Sequence, residues 1–125
     1  MRSPSAAVLL ILGLVLGGCA APSAVLRQPP AQNISLADAR ADAESHQGVA
    51  VRWGGMLLST ASEPAATWLE ILEYPLDEDG RPQVTQTAGG RFLARTGEAL
   101  NTAAYPPGSQ ITVAGPLAGT VQGAV

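Results

Sequence analysis

The only histidine of the chain stands in a cluster of residues that could bind a metal ion. His46 follows Asp42 and Glu44, and His46 would share one face of a helix with Asp42 at an i, i+4 spacing. A zinc site of the usual kind draws on several His or Cys ligands. The spacing therefore favours a solvated helix surface, and we predict no metal site.

A second acidic cluster, Asp77, Glu78 and Asp79 before Gly80, superficially resembles a calcium-binding loop. An EF-hand loop needs ligands at alternate positions, a Gly at the sixth and a Glu at the twelfth. Gly80 is the fourth residue here and the later ligands are missing. The cluster predicts a charged hairpin tip.

Two further patterns could suggest catalysis. Glu70 and Glu73 lie three residues apart, but on a strand such neighbours point to opposite faces and cannot flank one scissile bond. Ser59, Ser62 and Ser109 lack a G-x-S-x-G setting, so a serine hydrolase is not indicated. We predict no catalytic residue, no cofactor and no enzymatic activity.

Three arginines on predicted strands, Arg52, Arg91 and Arg95, could converge to bind an anionic group. The favoured alternative is cross-strand pairing with Glu70 and Glu73 at the surface. Nucleic acid is not an expected partner, because the net charge of the 125-residue chain is −3 and only 14% of its residues are charged. The length allows one domain.

The single cysteine has a different setting. Residues 6–16 form an unbroken apolar run, too short for a membrane span but of the length of a signal-peptide h-region. Leu16, Gly17, Gly18 and Cys19 follow it and resemble the bacterial lipobox. The resemblance implies recognition of Leu16 to Gly18 by the signal peptidase, cleavage before Cys19, and palmitate-type acylation of Cys19. The residue after Cys19 is not an Asp, which resembles an outer-membrane sorting signal.

The elements that would carry these residues divide the chain into three parts. We predict a lipoprotein signal peptide at residues 1–18, a lipidated flexible tether at residues 19–33 and a domain at residues 34–125. The domain would begin with a short helix over residues 35–46. Ser35 is its expected N-cap with Asp38 three residues later, and the expected apolar face comprises Leu36, Ala39 and Ala43.

Period-two patterns follow the helix and predict strands. The first would begin at Val49 and be interrupted by a bulge or bend at Gly54-Gly55. A turn at residues 62–65 would lead to a strand over residues 67–76, with Leu69 and Ile71 on one face. Later strands are expected over residues 91–95, with Phe92 as core anchor, and 110–114, with Ile111 and Val113 inward. A bend at Gly115-Pro116 would start another strand. The prediction is a mainly β fold, a small antiparallel OB-like barrel.

The ordered motifs resemble the Slp family of starvation-induced outer-membrane lipoproteins. The matching segments are Cys19 with its lipobox and residues 51–55, 69–71, 75–77, 80–82, 90–94 and 111–115. The resemblance implies an outer-membrane lipoprotein that faces the periplasm, anchored through acyl chains on Cys19, with envelope proteins as candidate partners. It implies a link to starvation or stationary phase and no known catalysis, and it carries over no ligand-binding residue.

The chain departs from this resemblance at its end, since it stops at Val125 where family members continue with a further aromatic-containing strand region. We expect a C-terminally truncated member with an unpaired strand edge, in preference to a barrel closed by a partner. The alternative function is a membrane-tethered periplasmic module that binds a small ligand on a barrel face near Trp53, Trp68 and Arg91. The sequence leaves the oligomeric state open.

Overall fold

The structure is a computed structural model that describes residues 8–14, 29–30, 33–97 and 99–122. Its elements in chain order are β1 (Val8–Leu14), α1 (Leu36–Ala41), β2 (Ala50–Glu63), β3 (Ala66–Tyr74), β4 (Gly90–Thr96) and β5 (Gln110–Gln122). Single 3₁₀ turns lie at Glu44–His46 and Thr102–Ala104. The strands form a closed barrel in the order β1-β4-β3-β2-β5. The predicted mainly β, barrel-like fold is thus confirmed.

Four of the five neighbouring strand pairs are antiparallel, and β1 runs parallel to β4. The strand β1 lies within the apolar run that the sequence assigns to a signal peptide. A short continuous apolar run is consistent with either an h-region or a strand, and in the structure it forms a strand that pairs on both sides. In the described chain β5 pairs with β2 on one side and with β1 on the other. The expectation of an unpaired edge concerned the chain without residues 1–18, and it stays a prediction.

The strand β2 is continuous through Gly54-Gly55, where the sequence predicted a bulge or bend. The register shift between β2 and β3 lies instead between Leu57 and Ser59. The two glycines serve close approach of the neighbouring strands. A Cβ on Gly55 would overlap the carbonyl oxygen of Leu72, and one on Gly54 would lie 2.5 Å from the carbonyl oxygen of Ile111.

The predicted bend at Gly115-Pro116 is also absent, and β5 is one strand of 13 residues. Pro116 is tolerated in this strand because its nitrogen, which carries no hydrogen, faces no strand partner. Leu117 N donates to Val49 O (3.0 Å), so the nitrogen of Pro116 faces away from β2. On the side of β5 that faces β1, the paired residues run from Leu117 to Gln122, so Pro116 has no partner there. No ladder hydrogen bond is lost at Pro116.

The core fills the barrel and extends beneath α1. Phe92, Leu69, Ile71 and Val113 are fully buried, as the alternation predicted, while Ile111 is only partly buried against the core. The Trp53 and Phe92 rings meet edge to face, with centroids 5.2 Å apart. Burial of each large apolar side chain contributes about 1.5–3 kcal/mol.

The helix α1 covers one end of this core. Leu36 and Ala39 are buried there, and Ala43 packs beside them. Ser35 caps the helix as predicted, because its Oγ accepts a hydrogen bond from Asp38 N at 3.0 Å. The helix is shorter than the predicted range, since the chain turns into the 3₁₀ segment after Asp42.

Candidate functional site

A cleft of about 330 Å³ lies where the segment before α1 crosses the start of β2 and the end of β3. Its lining includes Asn33, Ile34, Arg52, Trp53, Glu73 and Leu76. The volume is at the lower end of the range for small-molecule pockets.

Two hydrogen bonds fix one wall of the cleft. Asn33 Oδ1 accepts from Arg52 N at 2.8 Å, and Trp53 Nε1 donates to Ile34 O at 2.9 Å. Both bonds join residues 19 positions apart in the chain. They hold the segment before α1 against β2. The predicted tether extends to Asn33, whereas in the structure Asn33 is hydrogen-bonded to β2.

Two charged side chains line the cleft. Arg52 is only 6% exposed, whereas the sequence placed it at the surface. Glu73 is half-buried, and desolvation by this burial raises the pKa of its carboxyl above the ordinary value. A cleft with a buried guanidinium and a carboxyl is suited to a small polar ligand.

The three candidate arginines do not converge. Arg91 Nη1 and Glu70 Oε2 form an ion pair at 3.0 Å across β3 and β4, which confirms the predicted cross-strand pairing for these two residues. The guanidinium of Arg95 lies 5.8 Å from the ring centroid of Trp68 in a cation–π contact. Arg52 lies apart from both, on β2.

The two glutamates of β3 point to opposite faces, as their spacing predicted. Glu70 lies on the outer face, where Oε1 also accepts from Ser59 Oγ at 3.1 Å. Glu73 lines the cleft. Ser109 Oγ donates to Pro106 O at 2.6 Å, so this hydroxyl closes a turn.

The predicted face of Trp53, Trp68 and Arg91 is not a single surface. Trp53 is buried in the core, with its ring against Phe92. Trp68 lies on the outer face of β3, and its Nε1 donates to Glu63 Oε2 at 3.1 Å. Strand alternation places the Trp68 indole outside, because its neighbour Leu69 on β3 points into the core.

The two acidic clusters have structural partners. Asp77 Oδ1 accepts from Asp79 N (2.8 Å) and Arg81 N (3.0 Å) and closes a tight turn. These backbone hydrogen bonds, chiefly that from Arg81, lower the pKa of Asp77. His46 Nδ1 lies 2.8 Å from Asp42 O, a backbone carbonyl at the end of α1. The described residues contain no group of three or more His, Cys, Asp or Glu that could hold a metal ion.

The cleft contains residues that the sequence did not single out. The sequence predicts Leu76 at the end of a strand and Asn33 at the end of a tether. The only local sequence feature that could have pointed to Asn33 is its position two residues before the helix N-cap Ser35. Nothing in the sequence spacing relates Asn33 to Arg52.

The predicted lipobox lies outside the described residues, so Leu16, Gly17, Gly18 and Cys19 have no structural account here. The comparison of the sequence with known protein families includes these four residues. The sequence profile of the Outer membrane lipoprotein Slp family matches residues 16–125, a range that begins with the lipobox leucine. The chain belongs to the Slp family.

A curated relative of this Slp family chain is the "Uncharacterized lipoprotein YeaY" of Escherichia coli strain K12. The two sequences are 29% identical over 113 residues, which is 90% of this chain and 58% of the relative. The chain thus spans less than two thirds of the length of that lipoprotein. No solved structure matches the chain. Within the described ranges, no helix is long and apolar enough to cross a membrane.

Proposed function

We propose that this Slp family chain is an outer-membrane lipoprotein whose acylated Cys19 holds a non-catalytic β-barrel at the periplasmic leaflet. The family match from residue 16 onwards carries the proposal, because the matched region includes Leu16, Gly17, Gly18 and Cys19 together with the strands β2 to β5. A diacylglyceryl group with a further N-acyl chain exceeds the two signals that stable anchoring requires.

The geometry of three of the candidate groups supports a structural role. Glu70 neutralises Arg91, Asp77 closes a turn and Ser109 closes another. These interactions commit the side chains to the barrel and its loops. The barrel would then act by contact with other envelope components, and the outer β3–β4 face presents Trp68, Arg91 and Arg95 for such contacts.

Labelling with an alkyne analogue of palmitate in a Gram-negative host tests the anchor. The wild-type chain is expected to carry the label and to sediment with the outer membrane. Cys19→Ala should lose both properties, while Ser23→Ala in the same tether should keep them. An unlabelled wild-type protein in the soluble periplasmic fraction would contradict the proposal. Protease added to intact and to permeabilised cells tests the orientation, with degradation expected only after permeabilisation.

The starvation link is tested by following the protein level in its own cell. The resemblance to the Slp family predicts a rise on entry into stationary phase. A constant level through growth and starvation would remove this part of the proposal and leave the anchor unaffected.

The cleft supports a second candidate function, the binding of a small polar ligand. Its volume of about 330 Å³ and the presence of Arg52 and Glu73 are the observations in favour. A ligand of this site should raise the melting temperature of the protein and change the fluorescence of Trp53. Glu73→Gln should alter the affinity, while Glu63→Gln at the far end of β2 should not. A panel of small metabolites without any such shift would reject this candidate.

A further inference from the structure

Glu73 is a half-buried carboxylate whose burial the barrel does not compensate. Within the part of the chain that the structure describes, the Glu73 carboxylate makes no hydrogen bond or ion pair. Glu70 on the same strand differs, since its carboxylate is paired with Arg91 and accepts from Ser59. A polar group that is partly withdrawn from water without a protein partner is a candidate contact for a ligand.

Gly89 leaves the space that the Glu73 carboxylate occupies. A Cβ on Gly89 would overlap Glu73 Oε1. The backbone N–H of Gly89 donates to Glu73 O at 2.8 Å, so the two residues are held side by side. The position of the carboxylate in the cleft is therefore set by its neighbour and is more than the chance placement of a surface side chain.

Arg52 supplies the opposite charge in the same cleft. The residue is 6% exposed and belongs to the cleft lining. A guanidinium has five N–H donors, so it can serve a ligand in addition to its contacts within the protein. Its planar donor array matches a carboxylate. Ile34 and Leu76 add an apolar part to the lining. A complementary ligand thus has a cationic end, an anionic end and an apolar portion.

The strand register sets the length of such a ligand. Glu73 pairs with Gly55, which is three positions along β2 from Arg52. At the strand rise of about 3.4 Å per residue, the backbone positions of the two anchors are about 10 Å apart. A peptide of two residues spans about 7 Å when extended and leaves room for a hydrogen bond at each end. The cleft volume of about 330 Å³ also favours a ligand of small size.

We propose that the cleft binds a dipeptide with free termini, its ammonium group at Glu73 and its carboxylate at Arg52. The inference rests on the second candidate function, ligand binding in the cleft, and names the class of ligand. Small apolar side chains of the dipeptide pack against Ile34 and Leu76. Recognition depends on the two terminal charges, so peptides with a blocked end are excluded.

Isothermal titration calorimetry with alanylalanine tests the ammonium end, on protein extracted from membranes in a mild detergent. N-acetyl-alanylalanine lacks the ammonium group and should bind about tenfold or more weakly, because a charge-assisted hydrogen bond is lost. In Glu73→Gln the two peptides should bind with similar affinity. Glu63→Gln, outside the cleft, is the control and should keep the preference. Equal affinities of both peptides for the wild type, or binding of neither, would overturn the proposal.

A second variant tests the position of the carboxylate while its charge is kept. Gly89→Ala should displace the Glu73 side chain and weaken the binding of alanylalanine severalfold. Gly97→Ala is the matched control, since a Cβ there meets nothing within 4 Å. Unchanged affinity in Gly89→Ala would contradict the placement of the ammonium group at Glu73.

The carboxylate end is tested with alanylalanine amide. It should bind about tenfold or more weakly than alanylalanine to the wild type and to Glu73→Gln alike. Equal affinities of the amide and the free acid would refute the role of Arg52. If another small metabolite raises the melting temperature while alanylalanine does not bind, the dipeptide inference fails and ligand binding in the cleft stands. Acylation of Cys19 is measured separately and affects neither result.

Discussion

Glu73 is the residue whose ionisation the fold opposes. Its half-buried position in the cleft raises its pKa, because desolvation disfavours the carboxylate. The folded protein then holds a proton that the unfolded chain has already lost. Stability is therefore greatest below the ordinary glutamate pKa and falls as the pH rises through the raised value.

We predict that Glu73→Gln removes this pH dependence. The variant should melt at a higher temperature than the wild type at neutral pH, and the difference should shrink as the pH falls below the ordinary glutamate value of 4.5. Melting curves followed by circular dichroism across this range provide the measurement. Glu63→Gln, on an exposed residue of β2, is the control and should leave the profile unchanged. A constant difference between Glu73→Gln and the wild type at every pH would contradict the desolvation argument.

The pKa of Asp77 shifts in the opposite direction to that of Glu73, because the Asp77 carboxylate accepts backbone hydrogen bonds that favour its charged form. Its pKa is lowered, so its contribution to stability is present above the ordinary aspartate value and is lost as the pH falls through the lowered one. The carboxylate bonds only within the turn, and the consequence is local: acid should loosen the turn at residues 77–81 before it affects the barrel.

Gly55 shows how tightly two strands approach each other. A methyl group at this position would overlap the carbonyl oxygen of Leu72, a backbone atom that cannot rotate away. We predict that Gly55→Ala lowers the free energy of unfolding by about 1–3 kcal/mol, as overpacking does in other cores.

Denaturation in urea measures this effect. Gly97→Ala is the matched control, since a Cβ there meets nothing within 4 Å. The control should change stability by less than about 0.5 kcal/mol. Equal stabilities of the two variants would mean that β2 and β3 can separate at Gly55 without cost.

At the scale of elements, α1 depends on its cap. Ser35 satisfies the N–H of Asp38, and the helix that it starts buries Leu36 and Ala39 against the barrel. We predict that Ser35→Ala costs about 1 kcal/mol and that Ser35→Asp, which retains a capping oxygen, costs much less. Urea denaturation again provides the measurement. Similar losses in both variants would show that the cap is not what holds the helix in place.

The elements also show which structural features sequence reasoning can reach. The alternation of Leu69 and Ile71, the core position of Phe92 and the Ser35 cap follow from local patterns, and the structure confirms them. The continuity of β2 through Gly54-Gly55 does not follow, because it depends on the carbonyl groups of strands distant in the chain. The assignment of Val8–Leu14 to the barrel is equally non-local, since an apolar run fits both an h-region and a buried strand.

The candidate site was less accessible to sequence reasoning than the fold. The cross-strand pair of Arg91 and Glu70 could be anticipated from strand register, and the structure contains it. The burial of Arg52 could not, because it requires the segment before α1 to fold back over β2. That contact is made by Asn33, 19 residues earlier.

At the scale of the whole molecule, anchoring and folding share the first part of the chain. The Slp family match begins at Leu16, the first residue of the predicted lipobox, and β1 before it pairs with β4 and β5 in the barrel. The proposed cleavage before Cys19 lies between β1 and the other four strands. The relative in Escherichia coli, of which this chain covers 58%, has sequence beyond the shared region.

The mass of the N-terminal tryptic peptide of the protein extracted from membranes tests the central claim most directly. Arg27 is the first arginine after Cys19. The account predicts a peptide of residues 19–27 with a diacylglyceryl thioether on Cys19 and an acylated N-terminal amine. An unmodified peptide of residues 3–27, with the segment before Cys19 still attached, would contradict it.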